Sequence, residues 1–152
     1  MLVPNINLFS LNCLTDPTEF YNSILVTQSN GSIVIEDKVS YTSQLYRNQI
    51  DGYDFFESSE SFKTFLVSPN FAKPNALIFT YGAMLREVLE CLKSLLEEDI
   101  FPKIICYTQL SPLNIEPIIK EIESIDTLIT IEEGSKFCSL LVKNHYSVTS
   151  PE

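Results

Sequence analysis

Ile6-Asn7-Leu8-Phe9-Ser10-Leu11 alternates apolar and polar positions, the pattern of a strand with one face on a core. Thr15-Asp16-Pro17 then predicts a helix start, because a cap-type residue precedes a proline whose fixed φ suits the first turn. Phe20, Ile24 and Thr27 recur at helical spacing with Leu25 beside them, and Asn30-Gly31 ends the helix. Ser32-Ile33-Val34-Ile35-Glu36 is a short β-branched run, expected as a buried strand. Strand, helix and strand make a βαβ unit, so these two strands are expected to be parallel.

The region from Asp37 to about Lys73 is mixed, rich in Tyr, Phe, Ser, Asp and Glu, with a turn at Gly52. Phe62-Lys63-Thr64-Phe65-Leu66-Val67 predicts a strand, and Pro69 and Pro74 bracket a linker over 68–75. The expected division is therefore residues 1–67, a linker 68–75, and a second domain 76–152.

The second half is clearer. Ala76-Leu77-Ile78-Phe79-Thr80-Tyr81 lacks alternation and predicts a strand buried on both faces. Gly82 turns the chain into an amphipathic helix from about Ala83 to Glu98. Its apolar stripe is Met84, Val88, Leu92, Leu95 and Leu96, with Leu85 and Leu89 alongside. Arg86 with Glu90, and Lys93 with Glu97, have the spacing of ion pairs on its wet face. Lys103–Tyr107 predicts the next strand. A helix capped by Asn114 follows to about Glu123, with Ile115, Ile118, Ile119 and Ile122 inward. Thr127–Ile131 predicts a third strand and Phe137–His145 a last helix. The fold class is α/β: a partial βαβ unit followed by a three-layer α/β/α sheet, mainly parallel.

The chain's 152 residues suffice for a core without disulfides or metal. It carries 20 acidic against 10 basic residues, a net charge of -10, which disfavours nucleic acid and anionic membrane surfaces as partners. No apolar run reaches the ~20 residues that span a bilayer. Cys13, Cys91, Cys106 and Cys138 form no C-x-x-C pair and read as reduced thiols of a cytoplasmic protein.

Candidate chemistry is sparse. The single histidine, His145, reads as a helix C-terminal residue, where the helix dipole favours a cation. Glu132-Glu133-Gly134 leaves the last strand where α/β ligand sites form, but adjacent residues leaving a strand point to opposite faces. Tyr81-Gly82-Ala83-Met84 could offer helix-start N–H groups to an anion. No glycine-rich phosphate cradle exists. The aromatic cluster Tyr41, Tyr46, Tyr53, Phe55 and Phe56 reads as packing of the inter-domain segment. The residues alone thus give no recognisable catalytic set and no metal ligands.

Three motifs in order carry a resemblance. Phe79-Thr80-Tyr81-Gly82-Ala83-Met84, Leu110-Ser111-Pro112-Leu113-Asn114 and Ile131-Glu132-Glu133-Gly134 are similar to the C-terminal domain of transketolase-like thiamine-diphosphate enzymes. The nearest resemblance is to the beta subunit of the first component of the 2-oxoacid dehydrogenases, such as pyruvate dehydrogenase. Ile6–Leu11, Asp16-Pro17 and Ile33–Lys38 resemble, more loosely, the end of that family's pyrimidine-binding domain. The resemblance implies that residues 1–67 are a remnant of that domain and 76–152 a transketolase C-terminal-like domain. It implies structural or interface roles for Tyr81, Gly82, Ala83, Met84, Leu110, Ser111, Pro112, Leu113, Glu132, Glu133 and Gly134.

Departures from the family matter as much. The family's activating glutamate and active-site histidine are expected upstream of the first residue here, and no Gly-Asp-Gly motif for magnesium diphosphate is present. Tyr107-Thr108-Gln109-Leu110 stands where the family reads Leu-Arg-Thr-Leu, so an arginine contact is lost, and the family's last strand is expected to be missing. The expected function is a non-catalytic assembly portion of a pyruvate dehydrogenase-like beta subunit, binding no cofactor by itself. The expected partner is a second copy or a thiamine-diphosphate-binding subunit. The alternatives are a stand-alone α/β module for protein contacts or an anion and, last, an enzyme using Glu132 or Glu133.

Overall fold

A computed structural model describes residues 5–27, 30–46 and 50–133. The first sheet has the order β2-β1-β7, from β1 (Ile6–Ser10), β2 (Gly31–Ile35) and β7 (Gln109–Ser111). β1 and β2 are parallel, as the βαβ pattern predicts, with α1 (Pro17–Thr27) as the crossover. Asp16 caps α1: its Oδ1 accepts the Thr18 and Glu19 N–H groups at 2.8 and 3.4 Å. Phe20 anchors the helix against Phe9 and Phe62, with Ile24 and Val34 packed beside them.

The second sheet has the order β3-β4-β6-β5-β8. Its strands are β3 (Tyr53–Glu57), β4 (Thr64–Pro69), β5 (Ala76–Tyr81), β6 (Pro102–Tyr107) and β8 (Leu128–Ile131). β6, β5 and β8 are parallel, while the β3-β4 hairpin adds antiparallel to β6. Side chains alternate across this sheet. Ile78, Ile104 and Cys106 face Leu85, Val88, Leu89 and Leu92 of α2 (Met84–Glu97). Leu77, Phe79, Ile105 and Tyr107 face Ile118 of α3 (Glu116–Ile122) and Ile125 beyond it. Helices therefore cover both faces. Among the described residues no helix is long and apolar enough to cross a membrane.

Several expectations need correction. β2 is not a buried strand but an edge, with Ile33 and Ile35 about half exposed, because nothing described pairs with or covers its outer side. Segment 68–75 does not separate the sheets: Ser68 and Pro69 belong to β4, the β3-β4 hairpin joins the second sheet, and β7 joins the first. Phe62 precedes β4 and packs under the first sheet. Leu85 and Leu89, expected beside the α2 stripe, lie at its buried centre, while Met84 is half-buried. Neither predicted ion pair on α2 forms. Among the described residues the ion pairs are Lys63–Glu57 at 3.6 Å and Lys103–Glu121 at 2.6 Å, whereas Arg86 donates to the Gln44 carbonyl at 2.9 Å. Exposed i,i+4 pairs are worth a few tenths of a kcal/mol, roughly, so an ordered carbonyl outcompetes them. Asn114 lies just outside α3, accepting from Glu116 N–H at 3.1 Å, and Ile119 is exposed, since α3 rests on the sheet through Ile118. The predicted helix Phe137–His145, with Cys138, lies outside the described residues.

Candidate functional site: the seam between the sheets

The two sheets meet at Thr108. β6 ends at Tyr107, Thr108 turns, and β7 starts at Gln109 to pair antiparallel with β1. Thr108 is wholly buried, and its carbonyl accepts the Ser10 N–H at 2.9 Å. Its hydroxyl lies 3.3 Å from the Asn12 side-chain nitrogen, which donates to it, and 3.4 Å from the Thr15 hydroxyl. Asn12 Oδ1 also accepts the Leu14 N–H at 3.0 Å, so one buried polar cluster organises the β1–α1 loop.

The β5–α2 turn closes on the same seam. Gly82 is buried with φ +62°, and a Cβ built on it would stand 2.5 Å from Ser10 Oγ. Tyr81 is half-buried; burial, followed by the nearby Glu132 and Glu133 carboxylates, raises its phenol above the usual range. The acidic pair therefore lies close enough to Tyr81 to be felt electrostatically, and Thr80 Oγ1 fastens β5 to the Ile131 carbonyl just before it at 2.9 Å. Gly134 lies outside the described residues.

The Leu110–Asn114 stretch sits across the seam. Leu110 is buried in the core under α3, and Leu113 packs against that core. Ser111 is buried opposite Leu8 of β1, and Pro112 is exposed after a cis peptide bond. The Tyr107 hydroxyl donates to the Asn114 carbonyl at 2.6 Å, clasping the loop from below. Most of the residues singled out in the sequence thus gather at one junction. The polar residues that join its two sides, Ser10, Asn12, Thr15 and Thr108, have no contact across the seam that their sequence motifs indicate.

Beside the seam a cavity of about 320 Å³ opens between the ends of β1 and β2 and the start of α2. Ala83, just before α2, and Arg86 in its first turn line it on one side, Asn12 and Thr15 line it from the seam, and Glu36 and Asp37 from the chain just after β2. Both carboxylates are spent locally. Glu36 accepts the Tyr21 and Tyr41 hydroxyls, which hold its carboxyl below the usual range. Asp37 accepts from the Ser40 hydroxyl at 2.7 Å and from the Val39 and Ser40 N–H groups, with the same direction of shift. Arg86 is the cation of the lining, and its Nε is buried without a hydrogen-bond partner. Cys13 also lines the cavity; burial pushes its thiol up to about 11, against the opposing pull of Arg86. The aromatic cluster divides: Tyr53 is core, Tyr46 and Phe55 stack at 6.4 Å, and Tyr41 and Phe56 are exposed.

Comparison with known proteins bears on this junction. Residues 70–143 match the family described as Transketolase, C-terminal domain. The chain is also 32% identical over 63 residues to the acetoin:2,6-dichlorophenolindophenol oxidoreductase subunit beta of Cupriavidus necator. That match covers 41% of this chain and 19% of the relative, so the chain spans about a fifth of the length of the curated protein it matches.

Proposed function

We infer, from the match of residues 70–143 to the transketolase C-terminal domain family, that the chain is the assembly portion of a thiamine-diphosphate-dependent dehydrogenase beta subunit or a short relative of one. The type is that of the pyruvate or other 2-oxoacid dehydrogenases, acting in the cytoplasm beside a subunit that binds the cofactor or beside a second copy. The observation that carries this reading is the shared strand. β7 leaves the transketolase-type segment and pairs into the βαβ unit, so the chain holds two modules in fixed relation through a buried seam. A seam of this kind holds the two modules of the chain against each other, and its Asn12, Thr15 and Thr108 side chains are engaged with one another. The relative from Cupriavidus necator is itself a beta subunit, which supports a subunit partner.

The residues at hand do not fit thiamine diphosphate and magnesium. Among the described residues no group of three or more His, Cys, Asp or Glu side chains converges on a metal position. The cavity beside the seam sets Glu36 and Asp37 against one cation, an unfavourable balance for a diphosphate. No cofactor step is assigned to these side chains, and the chain alone is inactive in this reading. A second reading, a stand-alone anion-binding or protein-interaction module, draws on Arg86 and its unpartnered Nε in that cavity. Isothermal titration of the isolated chain with thiamine diphosphate and magnesium separates the readings. No heat is expected; micromolar binding would overturn the non-catalytic assignment, and binding of diphosphate alone would favour the anion module.

A further inference from the structure

Seven of the eleven large hydrophobic side chains that stand exposed among the described residues lie between Tyr21 and Tyr41. They surround one strand. β2 is the outer strand of its sheet, and no described strand pairs with its free edge. Ile33 and Ile35, 50% and 47% exposed, stand on one face. On the other, α1 carries Tyr21 and Leu25 one turn apart, and the Tyr21 hydroxyl donates to Glu36 at the end of β2, fixing the helix beside the edge. β2 has no charge, proline or bulge, the usual guards of a free edge. Ser32 Oγ is buried there without a hydrogen-bond partner.

Which backbone groups are open follows from one bond. Leu11 N–H donates to the Ile35 carbonyl at 3.1 Å, so the polar groups of Ile35 point toward β1. Strand alternation turns those of Ile33 and Gly31 the same way and those of Ser32 and Val34 outward.

We propose that β2 pairs with β2 of a second copy of this chain, antiparallel about a two-fold axis at Ile33; this rests on the assembly reading above and gives it a surface. In that register Ser32 of one copy and Val34 of the other exchange both N–H···O=C bonds. Ile33 meets its own copy as the non-hydrogen-bonded pair, whose side chains approach closest. Gly31 stands beside Ile35, leaving room for the larger side chain. No ionisable group enters the ladder, whereas moving the axis to Val34 would bring in Glu36 and moving it to Ser32 would drop Ile35. The edge is thus complementary to itself in hydrogen bonding, size and charge, as a two-fold interface requires. The axis, perpendicular to the sheet, also brings Leu25 and Val26 of both copies to one side of the joined sheet, where at 81% and 84% exposure they have most to bury.

Sedimentation velocity on the full chain at micromolar concentration tests this, with Ile33→Lys, Ile33→Glu and their equimolar mixture. The wild type is expected to be a dimer. Each single variant is expected to associate at least about ten-fold more weakly, because like charges face each other across the axis, and the mixture to recover the dimer. Ser32→Pro removes an outward N–H without adding charge, at an edge where proline is tolerated, and is expected to be monomeric with an unchanged far-UV circular dichroism spectrum. A monomeric wild type overturns the proposal, as does a chain that pairs only with an unlike subunit. A dimer that all these variants leave intact overturns the β2 interface while leaving the assembly reading standing, which the cofactor titration tests separately.

Discussion

Gly82 and Ser10, separated by more than half the described chain, are in such close apposition that a methyl group on Gly82 would reach within 2.5 Å of the Ser10 hydroxyl oxygen. The contact joins the β5–α2 turn to the end of β1, and so joins the second sheet to the first. Glycine is required there twice over. Its φ of +62° is strained for a residue with a Cβ, and the space for a Cβ is already taken.

Gly82→Ala is therefore expected to lower stability by about 1–3 kcal/mol, the range for a residue held in the left-handed region plus a close contact. Ser10→Ala in the same background removes the oxygen but not the backbone strain. A denaturant-unfolding double-mutant cycle should show coupling of roughly 0.5 kcal/mol or more between the two positions. Strict additivity would mean that the turn relaxes away from β1.

Thr108→Val tests the other half of the seam. The substitution keeps the shape and removes the hydroxyl that Asn12 Nδ2 and Thr15 Oγ1 approach at 3.3 and 3.4 Å. Leaving the Asn12 donor unpaired in a buried site is expected to cost about 1–3 kcal/mol. An unchanged denaturant midpoint would show that the cluster is not holding the sheets together.

How far these features were legible in the sequence depends on how local their signals are. β5 and α2 read clearly, because a continuous apolar run and a helical stripe are properties of neighbouring residues. β2 read as buried, since Ile33-Val34-Ile35 looks the same in a central strand and at an edge; what differs is whether anything pairs on its far side. β3 was hidden because Tyr53–Glu57 mixes aromatic and acidic residues, as a strand with one wet face does, and β7 is only three residues long. At the seam, Gly82 announced itself as the glycine of a strand-to-helix turn. Thr108 did not, because its partners Asn12 and Thr15 lie 96 and 93 positions away and a buried threonine carries no pattern. The spacing of Arg86 and Glu90 predicts an i,i+4 pair, and nothing local points to the Gln44 carbonyl 42 positions away.

The cysteines should differ sharply in reactivity. Cys13 and Cys106 are buried, and burial raises both thiols, the first to about 11 and the second well above the ordinary value. Thiolate, the reacting form, is scarce at either position near neutral pH. Cys91 is exposed on α2. Brief treatment with iodoacetamide at pH 8 should alkylate Cys91 while Cys13 and Cys106 react only after unfolding, as read by peptide mass spectrometry. Rapid labelling of Cys13 would show that the cavity it lines opens widely to solvent.

The Tyr21–Glu36 hydrogen bond predicts a pH dependence with a definite sign. The Tyr21 hydroxyl first, and Tyr41 second, stabilise the charged carboxylate and hold Glu36 below its usual range. A group whose folded pKa is depressed contributes stability above its unfolded pKa and loses it as pH falls through the folded value. Tyr21→Phe should therefore be less stable than wild type at neutral pH, and the gap should narrow as pH drops through the ordinary glutamate range and beyond. The Glu36 carboxylate is solvent-exposed enough for screening to keep the effect small, and raised salt should reduce it further. Chemical unfolding of both proteins across pH 3 to about 7 provides the comparison, in the range where unfolded glutamate titrates. A gap that stays constant with pH would mean that Tyr21 supports α1 through packing and not through the Glu36 carboxylate. A gap that widened toward acid would reverse the sign and show that the phenol favours the protonated carboxyl.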